Sequence, residues 1–228
     1  MKDKIDFDDF AHDYRMIHNQ NIGNISGTDS EYFGCYKVEE VRRKERAESQ
    51  NVILDLGCGD GLNAKFFQKY FPTANYIGID VSRESIAVAK KWENERVRFG
   101  VYDGKHIPAK DDSIDIIFVS CVFHHVAPTE HISLLQECQR VLKVDGRIYI
   151  FEHNPYNPLT QKVVKDCVFD KDAILISAHR LRKKVIKAGF NALKTSYTIF
   201  MPRKGIFNKL LKYEKYLWWL PVGGGSTI

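Results

Sequence analysis

The sequence predicts an α/β domain: a doubly wound, mostly parallel sheet with helices on both faces and a helical appendage at the N-terminus. Three observations predict it. Short apolar runs at Val52–Leu56, Tyr76–Ile79, Val97–Phe99, Ile114–Val119 and Arg147–Phe151 alternate with helix-period segments at Leu62–Phe71, Arg83–Glu93 and Glu130–Leu142. That alternation is the signature of βαβ units and a parallel sheet. Runs such as Ile114–Val119 are apolar but for one residue, Asp115, as strands covered on both faces nearly are. A glycine-rich turn, Gly57-Cys58-Gly59-Asp60-Gly61, joins the first run to the first helix.

The flanking elements follow in order. Residues 1–48 are expected to form an N-terminal helical cap. They are polar, contain Asn19-Gln20-Asn21 and Ser26-Gly27-Thr28, and end in a charged helical stretch over Glu39–Glu48. The main domain is expected over 49–202, with a less regular insert at 155–178 after the fifth strand. Arg180–Gly189 reads as a helix closed by its glycine, and Leu193–Met201 as a sixth strand. Residues 203–228 form a C-terminal segment that is amphipathic over Ile206–Leu220.

Length and composition limit the functional classes. A chain of 228 residues suits one domain with appendages. With 44% hydrophobic and 28% charged residues it is ordinary for a globular protein. No apolar run approaches the roughly 18 residues of a membrane span, and Met1–Asp9 lacks the apolar core of a signal peptide. A cytoplasmic location is the resulting expectation. The 5 cysteines contain no Cys-x-x-Cys pair, so neither a disulfide framework nor a zinc knuckle is expected. A net charge of +5 is too mild to imply nucleic acid, and no nucleic-acid partner is expected. The oligomeric state does not follow from the sequence.

The chemistry concentrates at the ends of the predicted strands. Glycines at a strand-to-helix turn let the backbone approach a ligand, and the helix N-terminus beyond offers unpaired N–H groups. A dinucleotide fingerprint would need a third glycine where Leu62 stands. Asp80 ends the second run and is placed to accept from ribose hydroxyls; the competing role, capping the next helix, can be filled by Ser82. Asp103, past the third run, either meets an adenine amino group or closes an Asp-Gly turn with Gly104. Ser120-Cys121-Val122-Phe123-His124-His125 ends the fourth run, where open α/β sheets bind ligands.

Taken together, these motifs resemble the class I, Rossmann-like S-adenosylmethionine-dependent methyltransferases. The resemblance covers about residues 50–152. It rests on Asp55-Leu56-Gly57-Cys58-Gly59-x-Gly61, followed by Asp80 and by Glu137–Gly146, which is similar to the family's helix and turn before the fifth strand. It implies S-adenosyl-L-methionine as cofactor. It implies that Asp55 and the backbone of Gly57, Cys58 and Gly59 meet the methionine part, that Asp80 binds ribose, and that Val81 lies against adenine. Asp103 and Gly104 would border the adenine, and Ser120 and Cys121 would line the methyl-donor channel. The family's sheet ends with a seventh strand, antiparallel beside the fifth. Only Ser226-Thr227-Ile228 follow the terminal triple glycine, so that strand is expected to be truncated or replaced.

Phe7-x-x-x-Ala11-x-x-Tyr14, Tyr32-Phe33, Tyr36-Lys37 and Glu152–Pro158 resemble bacterial methyltransferases linked to surface-glycan or lipid-linked sugar pathways. The expected activity is therefore methyl transfer to a small-molecule or lipid-linked acceptor, at an oxygen of a sugar. The alternatives are methylation of RNA or another macromolecule, and a non-catalytic, cofactor-binding regulator. Tyr14 and His18 either fold over the cofactor or simply pack.

An acceptor hydroxyl needs a proton acceptor, and histidine suits that role near neutral pH. His124, His125 and His153 are the candidates, each at or past a strand end; ordinary packing is the competing role for each. The adjacent His124 and His125 are expected to point apart. No metal site is expected, because neighbouring carboxylates are missing around the pair in sequence. Asn154-Pro155-Tyr156-Asn157-Pro158 is expected to form a rigid loop at the acceptor pocket. The basic helix from Arg180 reads as a solvated surface. The segment 206–220, with lysines between aromatics, either packs on the sheet, caps the pocket or lies at a membrane interface.

Overall fold

The computed structural model describes residues 7–46, 51–191, 193–203, 205 and 207–228. Its centre is a seven-stranded sheet of order β3-β2-β1-β4-β5-β7-β6. The strands are β1 (Val52–Leu56), β2 (Asn75–Asp80), β3 (Val97–Val101), β4 (Ile114–Ser120), β5 (Leu142–His153), β6 (Ser196–Thr198) and β7 (Gly225–Thr227). The first five run parallel, with β1 between β2 and β4.

Both faces of the sheet are covered, which explains the nearly continuous apolar runs. Leu54, Leu56, Ile117, Val119 and Ile150 face one layer, against Leu134, Leu135 and Val141 of α5 (His131–Val141) and Leu181 and Val185 of α7 (Ala178–Lys187). Ile53, Ile116, Phe118 and Phe151 face the other, against Phe67 of α3 (Leu62–Tyr70) and Val38 and Val41 of α2 (Ser30–Arg42). Successive residues of a strand point to opposite faces, so an apolar run fills two cores at once.

Helix starts follow local capping. The Ser82 hydroxyl accepts from the Ser85 N–H to open α4 (Arg83–Ala89), and Asn157 accepts from Thr160 to open α6 (Pro158–Asp166). The expected helix Arg83–Glu93 is split: α4 passes into a 3-10 turn at Lys90–Trp92. In the cap, α1 (Tyr14–Ser26) precedes α2, with a 3-10 turn at Phe7–Phe10 before both. The charged stretch expected at Glu39–Glu48 begins earlier, at Ser30, and α2 stops at Arg42. Residues 1–6, 47 and 48 of that cap lie outside the described residues.

The seventh strand is present but only three residues long, so of the two expectations it is truncated and not replaced. β7 lies antiparallel between β5 and β6, with Glu152 opposite Ser226, and the chain end extends the pairing through Ile150 and Ile228. Its three residues carry no hydrophobic pattern. Tertiary contacts place it instead. The Asn154 amide donates to the carbonyls of Pro221 and Gly223, and that of Asn157 to Val222. The Asn-Pro-Tyr-Asn-Pro loop is thus the anchor of the last strand. Gly223 is required there, because a Cβ would lie 2.6 Å from the Thr198 carbonyl oxygen. The expected sixth strand, Leu193–Met201, shrinks to Ser196–Thr198.

The C-terminal segment is a helical turn at Phe207–Leu210 (α8) followed by a 3-10 stretch over Leu211–Tyr216; Ile206 lies outside the described residues. A 3-10 helix repeats every three residues. Leu211, Glu214, Leu217 and Leu220 are the half-buried positions, while Lys212, Tyr213, Lys215, Tyr216, Trp218 and Trp219 are exposed. No helix among the described residues is long and apolar enough to cross a membrane.

Candidate active site

The glycine turn is held by β2. The N–H groups of Gly57 and Cys58 both donate to the Ile79 carbonyl, at 2.8 and 3.0 Å. The Gly59 N–H donates to Asp80 Oδ2 at 2.8 Å. Gly57, Gly59 and Gly61 all have positive φ, near 74, 54 and 76°, which a residue with a Cβ resists. Asp80 Oδ1 accepts from the Ser82 N–H, and burial pushes its carboxyl above the usual range. Asp55 lies beneath the turn. Its Oδ2 accepts from the Tyr76 hydroxyl at 2.5 Å and the Asn63 amide at 3.1 Å, while Oδ1 is buried without a partner. Burial raises the Asp55 carboxyl to about 6 against those hydrogen bonds.

The other expected cofactor residues fall along the same strand ends. Val81 is 51% exposed beside Gly104, whose Cβ position is 3.3 Å from Val81 Cγ1. Asp103 closes its own turn: Oδ1 accepts from the Lys105 and His106 N–H groups and Oδ2 meets His106 Nδ1 at 2.8 Å.

A cavity of about 260 Å³ opens between the glycine turn and the ends of β4 and β5, far larger than the ~15 Å³ that one water needs. Its lining includes Gly57, Gly59, Ser120, Cys121, His124 and His153. The N-terminal cap roofs it. Tyr14 and His18 both line it, and the Tyr14 ring lies against Phe169 and His18, with centroids 4.7 and 5.6 Å away. Arg15 grips Asp60 of the glycine turn with two nitrogens and donates to Ser30 at 2.8 Å. Burial lowers His18 to about 4.

Lys37 enters the same cavity from α2. Its Nζ donates to Ser120 Oγ at 2.7 Å and lies 3.4 Å from Cys121 Sγ. Cys121 has a positive φ of 59° at the end of β4. Burial would raise its thiol, but Lys37 and His153 outweigh burial and bring it down to about 6.

The three candidate histidines converge. His124 and His125 do not point apart: their ring centroids are 4.2 Å apart, and their Nε2 atoms lie 3.5 and 3.3 Å from the same Asp170 Oδ1. His153 is 5.2 Å from the His124 ring. The carboxylates expected to be missing around the pair are present. Glu152 Oε2 meets His124 Nδ1 at 2.6 Å, and Asp172 Oδ1 lies 3.9 Å from His125 Nδ1. They are brought from β5 and from the loop after α6, tens of residues away, which is why neighbouring sequence did not reveal them. Glu152 Oε1 also accepts from the N–H groups of Val122 and Phe123 and so fixes the loop after β4.

Sequence reasoning assigned no role to Lys37, Arg15, Glu152 or Asp170. Glu152 and Lys37 stand inside motifs already noted. Asp170 sits in the irregular insert, where no periodicity points to it.

The residues fit an S-adenosyl group. A Cβ built on Gly59 would meet no atom within 4 Å, so a ligand can approach the backbone there. Asp80 uses one hydrogen bond on each oxygen, which leaves acceptor capacity for a diol.

Comparison with known proteins agrees with this geometry. The family described as "Methyltransferase domain" matches residues 54–150. An uncharacterized methyltransferase of Bacillus subtilis is 34% identical over 133 residues, covering 56% of this chain and 49% of its own. The chain thus spans about half the length of that curated relative. Among solved structures, a chain of the complex containing the Haloferax volcanii Trm112 methyltransferase activator superposes with a TM-score of 0.70 at 18% identity, covering 97% of this chain and 95% of that one. A SAM-dependent methyltransferase of Thermotoga maritima gives 0.67 at 18% identity, with the same coverages. In its motifs, its strand order and these likenesses, the chain resembles the class I, Rossmann-like S-adenosylmethionine-dependent methyltransferases, and the family match covers residues 54–150.

Proposed function

We propose that the chain transfers the methyl group of S-adenosylmethionine to an oxygen of a small-molecule acceptor, a sugar or lipid-linked glycan. The observation that carries the reading is one cavity lined both by the glycine turn and by the histidine cluster. It joins a donor end to an acceptor end.

When bound, S-adenosylmethionine supplies a methyl group on a sulfonium, already electrophilic. The chain's task is therefore alignment, exclusion of water and removal of a proton. Gly57, Gly59 and Asp80 would hold the donor. Tyr14, Arg15 and His18 cover it, and Arg15 ties this cover to Asp60. His124 and His125 face Asp170, and His153, beside Cys121 at the cavity wall, is the histidine assigned to the hydroxyl proton. The flank motifs that resemble glycan-linked enzymes support the acceptor class.

Calorimetry with S-adenosylmethionine and its demethylated product tests the donor half. Methyl-labelled donor incubated with sugar and lipid-linked glycan pools tests the other half. Binding of neither nucleoside would remove the reading. Binding without label transfer to any pool would favour a regulator.

A further inference from the structure

We propose that His124, His125 and Asp170 form a divalent-metal site at the inner end of the cavity, of the two-histidine, one-carboxylate kind. Their ligand atoms lie within 4.8 Å of one another. The spacing discriminates between two roles. Ordinary N–H···O hydrogen bonds span about 2.7–3.2 Å. Ligand atoms about 2.05 Å from a tetrahedral ion stand about 3.3 Å from each other. The Nε2 atoms lie 3.5 and 3.3 Å from Asp170 Oδ1, long for hydrogen bonds and close to the ligand spacing around an ion, and the remaining pair of ligand atoms, within 4.8 Å, would draw together on a bound ion.

The surroundings are those of a metal site. A metal-bound histidine commonly gives its second ring nitrogen to a carboxylate, which fixes the tautomer and aims the lone pair at the ion. His124 Nδ1 has Glu152 at 2.6 Å; His125 Nδ1 makes no hydrogen bond among the described residues, with Asp172 Oδ1 3.9 Å away. Three carboxylates thus surround two imidazoles. At the cavity wall, Lys37 and Arg15 are engaged with Ser120 and Asp60.

The site is also built rather than casual. The Ile174 N–H donates to the His124 carbonyl at 2.8 Å, which pins the segment after Asp170 to the histidine loop. Asp170 ends a 3-10 turn, Val168–Asp170, whose Phe169 packs under Tyr14. All three ligands line the cavity, so the open coordination positions face it.

With two imidazoles and one carboxylate, the ion is a divalent first-row transition metal. Its role rests on the methyl-transfer reading: an acceptor hydroxyl bound at an open position loses its proton more readily. Acceptors with two neighbouring oxygens would then be preferred.

The test uses the full chain, stripped with a chelator. It is titrated with Zn2+ by calorimetry, and with Co2+ followed by visible absorption. The demethylated nucleoside is titrated separately. The expected result is one ion per chain, with the Co2+ absorption of a low-coordinate nitrogen–oxygen site. Asp170→Asn and His125→Ala should each weaken uptake by at least about 100-fold while nucleoside affinity stays near wild type, which shows that they fold. A wild-type chain that takes up no ion at this stoichiometry overturns the proposal, even if nucleoside binds. Undiminished uptake by Asp170→Asn overturns it as well. The wild-type Co2+ spectrum decides the matter if the variants do not fold. Metal uptake without nucleoside binding would instead remove the methyl-transfer reading and leave the site standing.

Discussion

Asp80 Oδ2 accepts a hydrogen bond from the Gly59 N–H at 2.8 Å, so the residue expected to hold the ribose also sets the shape of the glycine turn. Asp80→Ala should therefore do two things. Calorimetry should show nucleoside affinity falling at least tenfold, since a charge-assisted hydrogen bond contributes about 1.5–3 kcal/mol. Thermal unfolding should also show a lower midpoint without ligand. Unchanged affinity would contradict the placement of the cofactor.

Gly59→Ala separates folding from binding. The φ of 54° costs a residue with a Cβ about 1–2 kcal/mol, and no atom obstructs the methyl group. The variant should fold, with a modest loss of stability in urea, yet bind nucleoside poorly because the methyl group occupies the open face. At Gly57 the outcome differs. A Cβ would lie 2.4 Å from Val122 Cγ2, so Gly57→Ala should be the less stable of the two.

Asp55 predicts a pH dependence with a defined sign. Burial raises its folded-state carboxyl to about 6, above the ~3.9 of an unfolded chain. The folded protein therefore binds the extra proton between those values. The stability this group contributes is present below about pH 4 and lost as pH rises through 6. The window corresponds to a contribution on the order of 3 kcal/mol. Replacing Asp55 by Asn removes the titration. Urea denaturation at pH 4.5 and pH 7 should find the variant gaining on wild type as pH rises. Parallel profiles would contradict the assignment.

Arg15 joins the roof to the glycine turn through Asp60 and Ser30. Arg15→Ala should loosen the N-terminal cap, at about 1–2 kcal/mol for a partly buried charged pair. Limited proteolysis should then cut before Ser30 faster than in wild type, and nucleoside should protect less.

The C-terminal segment turns Trp218 and Trp219 outward, 55% and 60% exposed, among Lys209, Lys212 and Lys215. Its acid, Glu214, turns inward and accepts from the Phe200 and Met201 N–H groups. We expect this face to bind anionic lipid surfaces, where tryptophan and lysine are favoured. Sedimentation with phosphatidylglycerol vesicles should retain the wild-type chain, and the double change Trp218→Ala and Trp219→Ala should lower retention roughly tenfold. Equal retention by neutral vesicles, or none by either, would contradict the expectation.

The parallel strands and the glycine turn were legible because their causes are local. Val52–Leu56 and Ile114–Val119 are apolar but for Asp55 and Asp115, and Gly57, Gly59 and Gly61 stand where the backbone needs positive φ. β7 was illegible for the opposite reason: Gly225–Thr227 becomes a strand only because Asn154 and Asn157 hold the chain before it. Asp103 was legible as a turn or a ligand, and its Oδ1 closes the turn.

The amino-acid order by itself determined the fold class, the glycine turn at one end of the cavity and the identity of its three histidines, since each follows from residue type and spacing along one strand and turn. Only the tertiary structure decided what those histidines meet. Whether His124 and His125 diverge or share Asp170 depends on where a loop some 45 residues further along the chain comes to rest, and short-range patterns do not encode contacts across that distance.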